Sequence, residues 1–215
     1  MKLAWLNFLE SICFLEENNI VCHETFIINK KDQLKKHTDF PYVLKISSDL
    51  LHKTEVNAVK TDLFSLKDLE KAFLDLNNIL IKNKISGTIC LQKQIKGIEV
   101  IVGITNDPQF GKILLFGQGG IFAEKNKDNS LKVLPITKKD GKDLLEKTIV
   151  GKIISKGYRN KIYPKEKLEK LFLDLSVLAM KKNITELDLN PVIVTEKEIY
   201  VVDARVKIAD ARVKI

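Results

Sequence analysis

Apolar positions recur at helical spacing in three stretches of the chain, and each has its own start or stop signal. Residues 3–18 carry Leu6, Leu9 and Cys13 and run into Asn18-Asn19, which predicts an amphipathic helix ending there. Ser65 followed by Asp68 resembles a capping box, and Leu69, Phe73, Leu76 and Leu80 then mark one face of a helix up to about Lys82. Pro164 stands where a first helical turn belongs, ahead of the stripe Leu168, Leu171, Leu175 and Leu178. Thr137 with Asp140 opens a further helix, interrupted early by Gly141. Between these lie short apolar runs that predict strands: 40–46, 88–94, 98–104, 112–116 and two segments within 185–208. Ile95-Lys96-Gly97 joins two of them as a hairpin or a tight crossover between sheets. Interleaved α and β elements without a low-complexity linker predict an α+β unit of two connected lobes.

The last strand pair allows its register to be worked out. If Glu196-Lys197 is a two-residue loop, Thr195 faces Glu198, Asn190 faces Asp203, and Asp188 faces Arg205. Asp188 and Asn190 then share one face, while Leu187, Leu189, Val202, Ala204 and Val206 turn inward. Opposed Cβ atoms lie roughly 4.5 to 5.5 Å apart, close enough for the oxygens of Asn190 and Asp203 to hold one hard cation. A solvated sheet face has the same polar pattern. A set of few oxygen donors, with room for waters and phosphates, suits magnesium bound to a nucleotide.

Other residues add candidate chemistry. Lys45 sits inside an otherwise apolar strand, where a lysine is ordinarily an edge or surface residue and a functional one is the alternative. His52 follows in a polar loop; such a histidine is commonly just exposed, yet neutral imidazole is a competent nucleophile toward a phosphoryl group. Gly117-Gln-Gly-Gly120 gives a backbone able to approach a ligand closely. Zinc-protease, nucleophile-elbow and P-loop motifs are absent, so a nucleotide would need another scaffold.

Composition narrows the partners. The 215 residues carry a net charge of +8, but only Arg159, Arg205 and Arg212 of the 36 basic residues are arginine. Base reading favours Arg, so the surplus reads as a lysine-rich surface with phosphate binding open, rather than a nucleic-acid partner. Three dispersed cysteines, Cys13, Cys22 and Cys90, indicate neither a disulfide framework nor a zinc site and fit a reducing cytoplasm. Glu10, Glu16 and Glu17 break up any signal-peptide core, and no run of about 18 apolar residues suggests a membrane span. Asp-Ala-Arg-Val-Lys-Ile at 203–208 recurs at 210–215; the odd period puts the two copies on opposite faces, so only the first is expected to function.

An ordered set of segments now lines up with a known family: Tyr42-Val-Leu-Lys-Ile46, Asp49-Leu-Leu-His-Lys-Thr54, Gly97-Ile-Glu-Val-Ile-Val-Gly103, Asp107-Pro-Gln-Phe-Gly111, Phe116-Gly-Gln-Gly-Gly-Ile-Phe-Ala-Glu124, Gly157-Tyr-Arg159, Glu186-Leu-Asp-Leu-Asn-Pro191 and Val202-Asp-Ala-Arg205. Together they resemble the ATP-grasp β subunit of ADP-forming acetyl-CoA synthetase (acetate–CoA ligase), a relative of succinyl-CoA synthetase. The resemblance implies an α+β ATP-grasp fold over residues 1–208, with a first helix at 1–18, lobes at about 19–95 and 96–208 clamping ATP or ADP, and a duplicated tail at 209–215. It implies that Lys45 meets the nucleotide phosphates, Gln92 and Gln94 line the adenine side, and Glu99 reaches the ribose. It further implies Mg2+ on Asn190 and Asp203, with Asp188 as a further ligand, and His52 as a phosphoryl carrier. The implied partner is a CoA-binding α subunit, since this length leaves no room for a CoA-binding domain. The implied location is the cytoplasm, with neither membrane nor nucleic acid involved. A succinyl-CoA synthetase-type subunit and a catalytically silent nucleotide-binding module are the alternatives. The family's Val-Gly-Gly-Val is replaced here by Val56-Asn57-Ala58-Val59, the departure that bears on the silent reading.

Overall fold

The computed structural model describes residues 3–48, 58–120 and 128–209. Its backbone divides into two compact units, residues 23–95 and, from both ends of the chain, residues 1–22 with 96–215.

The inserted unit is a four-stranded antiparallel sheet in the order β2-β5-β3-β4, built from β2 (Phe26–Ile28), β3 (Tyr42–Ser47), β4 (Val59–Leu63) and β5 (Thr88–Lys93). The 17-residue helix α2 (Leu66–Lys82) starts at Ser65, whose side chain accepts the Asp68 N–H. Its stripe Leu69, Phe73 and Leu76 is buried against Leu44 and Ile46 of β3 and Ile89 and Leu91 of β5. Strand alternation follows, because only every second residue of β3 and β5 faces this core. Val43, Lys45 and Ser47 therefore share the other face with their neighbours Gln92, Cys90 and Thr88.

In the second unit the antiparallel sheet runs β1-β11-β9-β6-β7-β8, with β10 also paired to β9. These strands are β1 (Ala4–Trp5), β6 (Ile98–Asp107), β7 (Gly111–Gln118), β8 (Asn129–Val133), β9 (Ile184–Val194), β10 (Ile199–Val201) and β11 (Arg205–Ile208). The segment 95–97 is thus a crossover between sheets, not a hairpin. Val100, Val102, Leu114, Phe116, Leu187 and Leu189 are buried, as are Leu168, Phe172 and Leu175 of helix α5 (Lys165–Lys181). The Phe116 and Phe172 rings meet at 5.1 Å.

Two elements differ from expectation. The first helix, α1, spans Phe8–Glu17 rather than 3–18, because Asn7 and Glu10 form a reciprocal capping box that fixes its start. Residues 4 and 5 instead pair with β11, and the buried face of α1 is Phe8, Ile12 and Leu15, leaving Cys13 exposed. Beyond α3 (Lys138–Glu146) lies an unforeseen helix, α4 (Ile149–Lys156). Gly151 weakened its sequence signal, yet a Cβ there would lie 2.2 Å from the Leu145 carbonyl oxygen, so the glycine is what lets α3 and α4 meet. The Asp128 carboxylate accepts the N–H groups of Ile149 and Val150 at 2.7 and 3.0 Å, supplying the anion that a helix start favours.

Candidate functional site

In the inserted unit, Lys45 is only 4% exposed and stands on β3, an inner strand flanked by β4 and β5. The ordinary expectation of an edge or surface lysine is therefore incorrect here. A buried ammonium is costly to desolvate, and so it is kept only where something rewards the charge. Around it, the His23 Nε2 lies 2.8 Å from the Lys93 carbonyl oxygen. Burial, with a smaller contribution from the Lys45 charge, holds the His23 imidazole below its ordinary value, although the Lys93 carbonyl pulls the other way. Gln92 is buried, and its Nε2 donates to Thr25 Oγ1 at 2.8 Å. The Gln94 amide accepts the Asp62 N–H at 2.8 Å and donates to Asp62 Oδ1 at 3.0 Å. Asp62 has a positive φ of 56°, so Gln94 pins a left-handed residue at β4. Both glutamines are thus engaged within this unit.

In the second unit three chain segments converge. Opposite β6, Val100 pairs with Val192 but Val102 with Leu189, so β9 carries one extra residue beside Asn190-Pro191. This bulge shifts the inward set: Val192 and Val201 are buried, while Val202, expected inside, is half-buried. From it the Asn190 Oδ1 accepts the Gly120 N–H at 3.1 Å, and Gly119 N–H donates to the Glu99 carbonyl at 2.9 Å. A Cβ on Gly119 would stand 2.5 Å from the Val100 carbonyl carbon, and one on Gly120 (φ +73°) would fall 1.9 Å from Glu99 Oε2. Glycine is needed here so that the turn can press on the protein's own β6, an approach that the composition of 117–120 alone left addressed to a ligand.

The C-terminal register agrees with the loop arithmetic on both sides of the bulge. Val201 pairs with Val192, and Arg205 with Asp188. Asn190 and Asp203 fall midway between these anchors along their strands, where residues 202–204 form no ladder. Asp203 Oδ1 accepts the Ala204 N–H at 2.9 Å. Asp188, Asn190 and Asp203 offer only oxygen donors, the chemistry of a hard cation. Among the described residues no three His, Cys, Asp or Glu side chains gather as a metal-ligand group. A cation here would complete its shell with the Asn190 amide, water and ligand oxygens, as Mg2+ on a nucleotide does. His52 lies outside the described residues, as do Asn57 and the second copy of the terminal repeat.

A family model described as an ATP-grasp domain matches residues 2–208. The chain belongs to the ATP-grasp family. Within it, this ATP-grasp chain is 33% identical over 172 residues to the β subunit of ADP-forming acetate–CoA ligase I of Pyrococcus furiosus, covering 77% of this chain and 74% of that one. It is also 33% identical over 201 residues to ADP-forming acetate–CoA ligase II of Archaeoglobus fulgidus; that match takes in 91% of this chain but spans only 29% of the relative's length. The dinucleotide forming acetyl-coenzyme A synthetase 1 of Ca. Korarchaeum cryptofilum, solved with coenzyme A and Ca-AMPCP, superposes with a TM-score of 0.84 at 29% identity, over 95% of this chain and 93% of that one. Another structure of that enzyme holds Mg-AMPPCP, with a phosphohistidine segment pointing towards the nucleotide binding site (28% identity, TM-score 0.78, covering 94% and 91%). No helix among the described residues is long and apolar enough to cross a membrane.

Proposed function

We propose that this chain is the nucleotide-handling subunit of an ADP-forming acid–CoA ligase. In the overall reversible reaction, acyl-CoA, phosphate and ADP give acid, CoA and ATP, with acyl and CoA chemistry carried by a CoA-binding α subunit. The step assigned to this chain breaks the N–P bond of a phosphohistidine and forms an O–P bond to the β-phosphate of ADP. Lys45 supplies a fixed positive charge for the phosphates, Gln92 and Gln94 border the adenine and Glu99 takes the ribose. Asn190 and Asp203, helped by Asp188, would hold Mg2+, which when bound neutralises phosphate charge. His52 carries the phosphoryl group between the α subunit and the nucleotide.

The observation carrying this reading is the position of Lys45: an ammonium kept buried on an inner strand, in a chain that superposes on nucleotide-analogue complexes over more than nine-tenths of its length. Ala58, which departs from the family's glycine, is fully buried and belongs to the apolar core, so its methyl is accommodated there. The test is acid-labile labelling from γ-labelled ATP, with the α subunit present. Wild type becomes labelled and His52→Ala does not; undiminished labelling of His52→Ala would remove the carrier role.

A further inference from the structure

We infer that Arg205 is a phosphate-binding residue of the second unit's site and that Trp5 is the residue positioning it, an inference that rests on the nucleotide reading above. Arg205 is the register partner of Asp188. Ala204 is 1% exposed and turns inward, so Asp203 and Arg205, on either side of it, both lie toward the open face of the sheet. The chain's single tryptophan, Trp5, comes from β1 on the far side of β11. The Arg205 guanidinium carbon lies 4.7 Å from the centre of its ring.

A second cation shares that indole but is already neutralised. Lys207 Nζ is 5.2 Å from the Trp5 ring and 2.6 Å from Glu186 Oε1. Arg205, by contrast, takes part in no ion pair among the described residues. Stacking holds the guanidinium plane while leaving its N–H donors around the rim available. A planar fork on the strand segment that follows Asp203, in register with Asp188, matches a phosphoryl group, one of whose oxygens would meet the metal while two others accept from the fork. It is also notable chemically that one of only three arginines among 36 basic residues stands here, where a lysine would offer a point charge alone.

The test uses the full chain with Mg-ATP, read by calorimetry and by Trp5 fluorescence. Phosphate bound to Arg205 alters the charge over the indole, so wild type shows a saturable fluorescence change that tracks the calorimetric isotherm. Arg205→Lys keeps the charge and the fold, yet weakens Mg-ATP roughly tenfold and loses most of the fluorescence response. Trp5→Phe retains affinity through its ring, whereas Trp5→Leu falls to the level of Arg205→Lys. If wild type binds Mg-ATP while Arg205→Lys binds within about twofold and responds as wild type does, the Arg205 assignment is overturned and the nucleotide reading stands. If wild type shows no Mg-ATP binding, both fall.

Discussion

Lys45 projects from an inner strand of the inserted unit and is 4% exposed, whereas Asp188, Asn190 and Asp203 stand half-buried around a bulge, beside residues 202–204 where the ladder is broken. In the first case the ladder to β5 is unbroken from Tyr42 to Ser47, although the pairing with β4 shifts register between Tyr42 and Leu44, and alternation along β3 decides where the side chain goes. In the second, the ladder must be interrupted for an Asn side chain to reach a glycine turn across an intervening strand. The charge thus stands on an unbroken β3–β5 ladder, and the candidate oxygen set beside a break in the β9 ladder. The two arrangements should fail differently when perturbed.

Removing the charge breaks function without breaking the fold. Lys45→Met replaces a buried ammonium by an apolar side chain of similar length, so Mg-ADP affinity falls roughly hundredfold while thermal unfolding is unchanged or raised. Calorimetry and a melting curve on the same sample check both halves. In the second unit the opposite outcome is expected from Gly119→Ala. Its Cβ meets the Val100 backbone at 2.5 Å, which costs about 3 kcal/mol of stability and also disturbs the Asn190–Gly120 contact, as chemical denaturation and nucleotide titration would report. Gly151→Ala sharpens the contrast: a similar clash with the Leu145 carbonyl lowers stability by about 2 kcal/mol but leaves nucleotide affinity unchanged.

Acid separates the units more gently. His23 and His37, both in the inserted unit, are held below the ordinary imidazole value of 6.5 chiefly by burial. The unfolded chain therefore binds protons first, and the stability due to the neutral rings, complete above pH 6.5, is lost as pH falls from there toward the folded values. In the second unit, Lys132 bonds to Asp140 and Asp143 at 2.8 and 2.7 Å and lowers both carboxyls. Their contribution, present above the ordinary 3.8, is lost only as pH falls below that. Hydrogen exchange resolved by residue should show strands β2, β3 and β5 loosening near pH 6 before α3 does. Equal loosening of both at that pH would contradict this.

Regular elements were legible in the sequence because their signals are local. The α2 and α5 stripes, the Thr137 and Ser65 caps and the Thr195–Glu198 turn all follow from spacing within a few residues. The C-terminal register was legible too, since a tight turn propagates it for several residues. What escaped depends on partners distant in the chain. The burial of Lys45 needs β4 and β5 on both sides of β3, and the β9 bulge shows only in the pairing of β9 with β6 across the sheet. Asn190 meeting Gly120 spans 70 residues, and the fit of Gly151 against Leu145 depends on helix packing. Trp5 beneath Arg205 joins the two ends of the chain, with no local pattern to announce it.

The central proposal is that Mg-nucleotide binding depends on Lys45 and on Asp203. Calorimetric titration of ADP into wild type, Lys45→Met and Asp203→Asn, each with Mg2+ and with chelator, tests it most directly. Saturable binding by wild type that needs Mg2+, weakened in both variants and insensitive to chelator only in Asp203→Asn, is the predicted result. Wild-type binding that ignores chelator, or variants that bind as wild type does, would contradict the account.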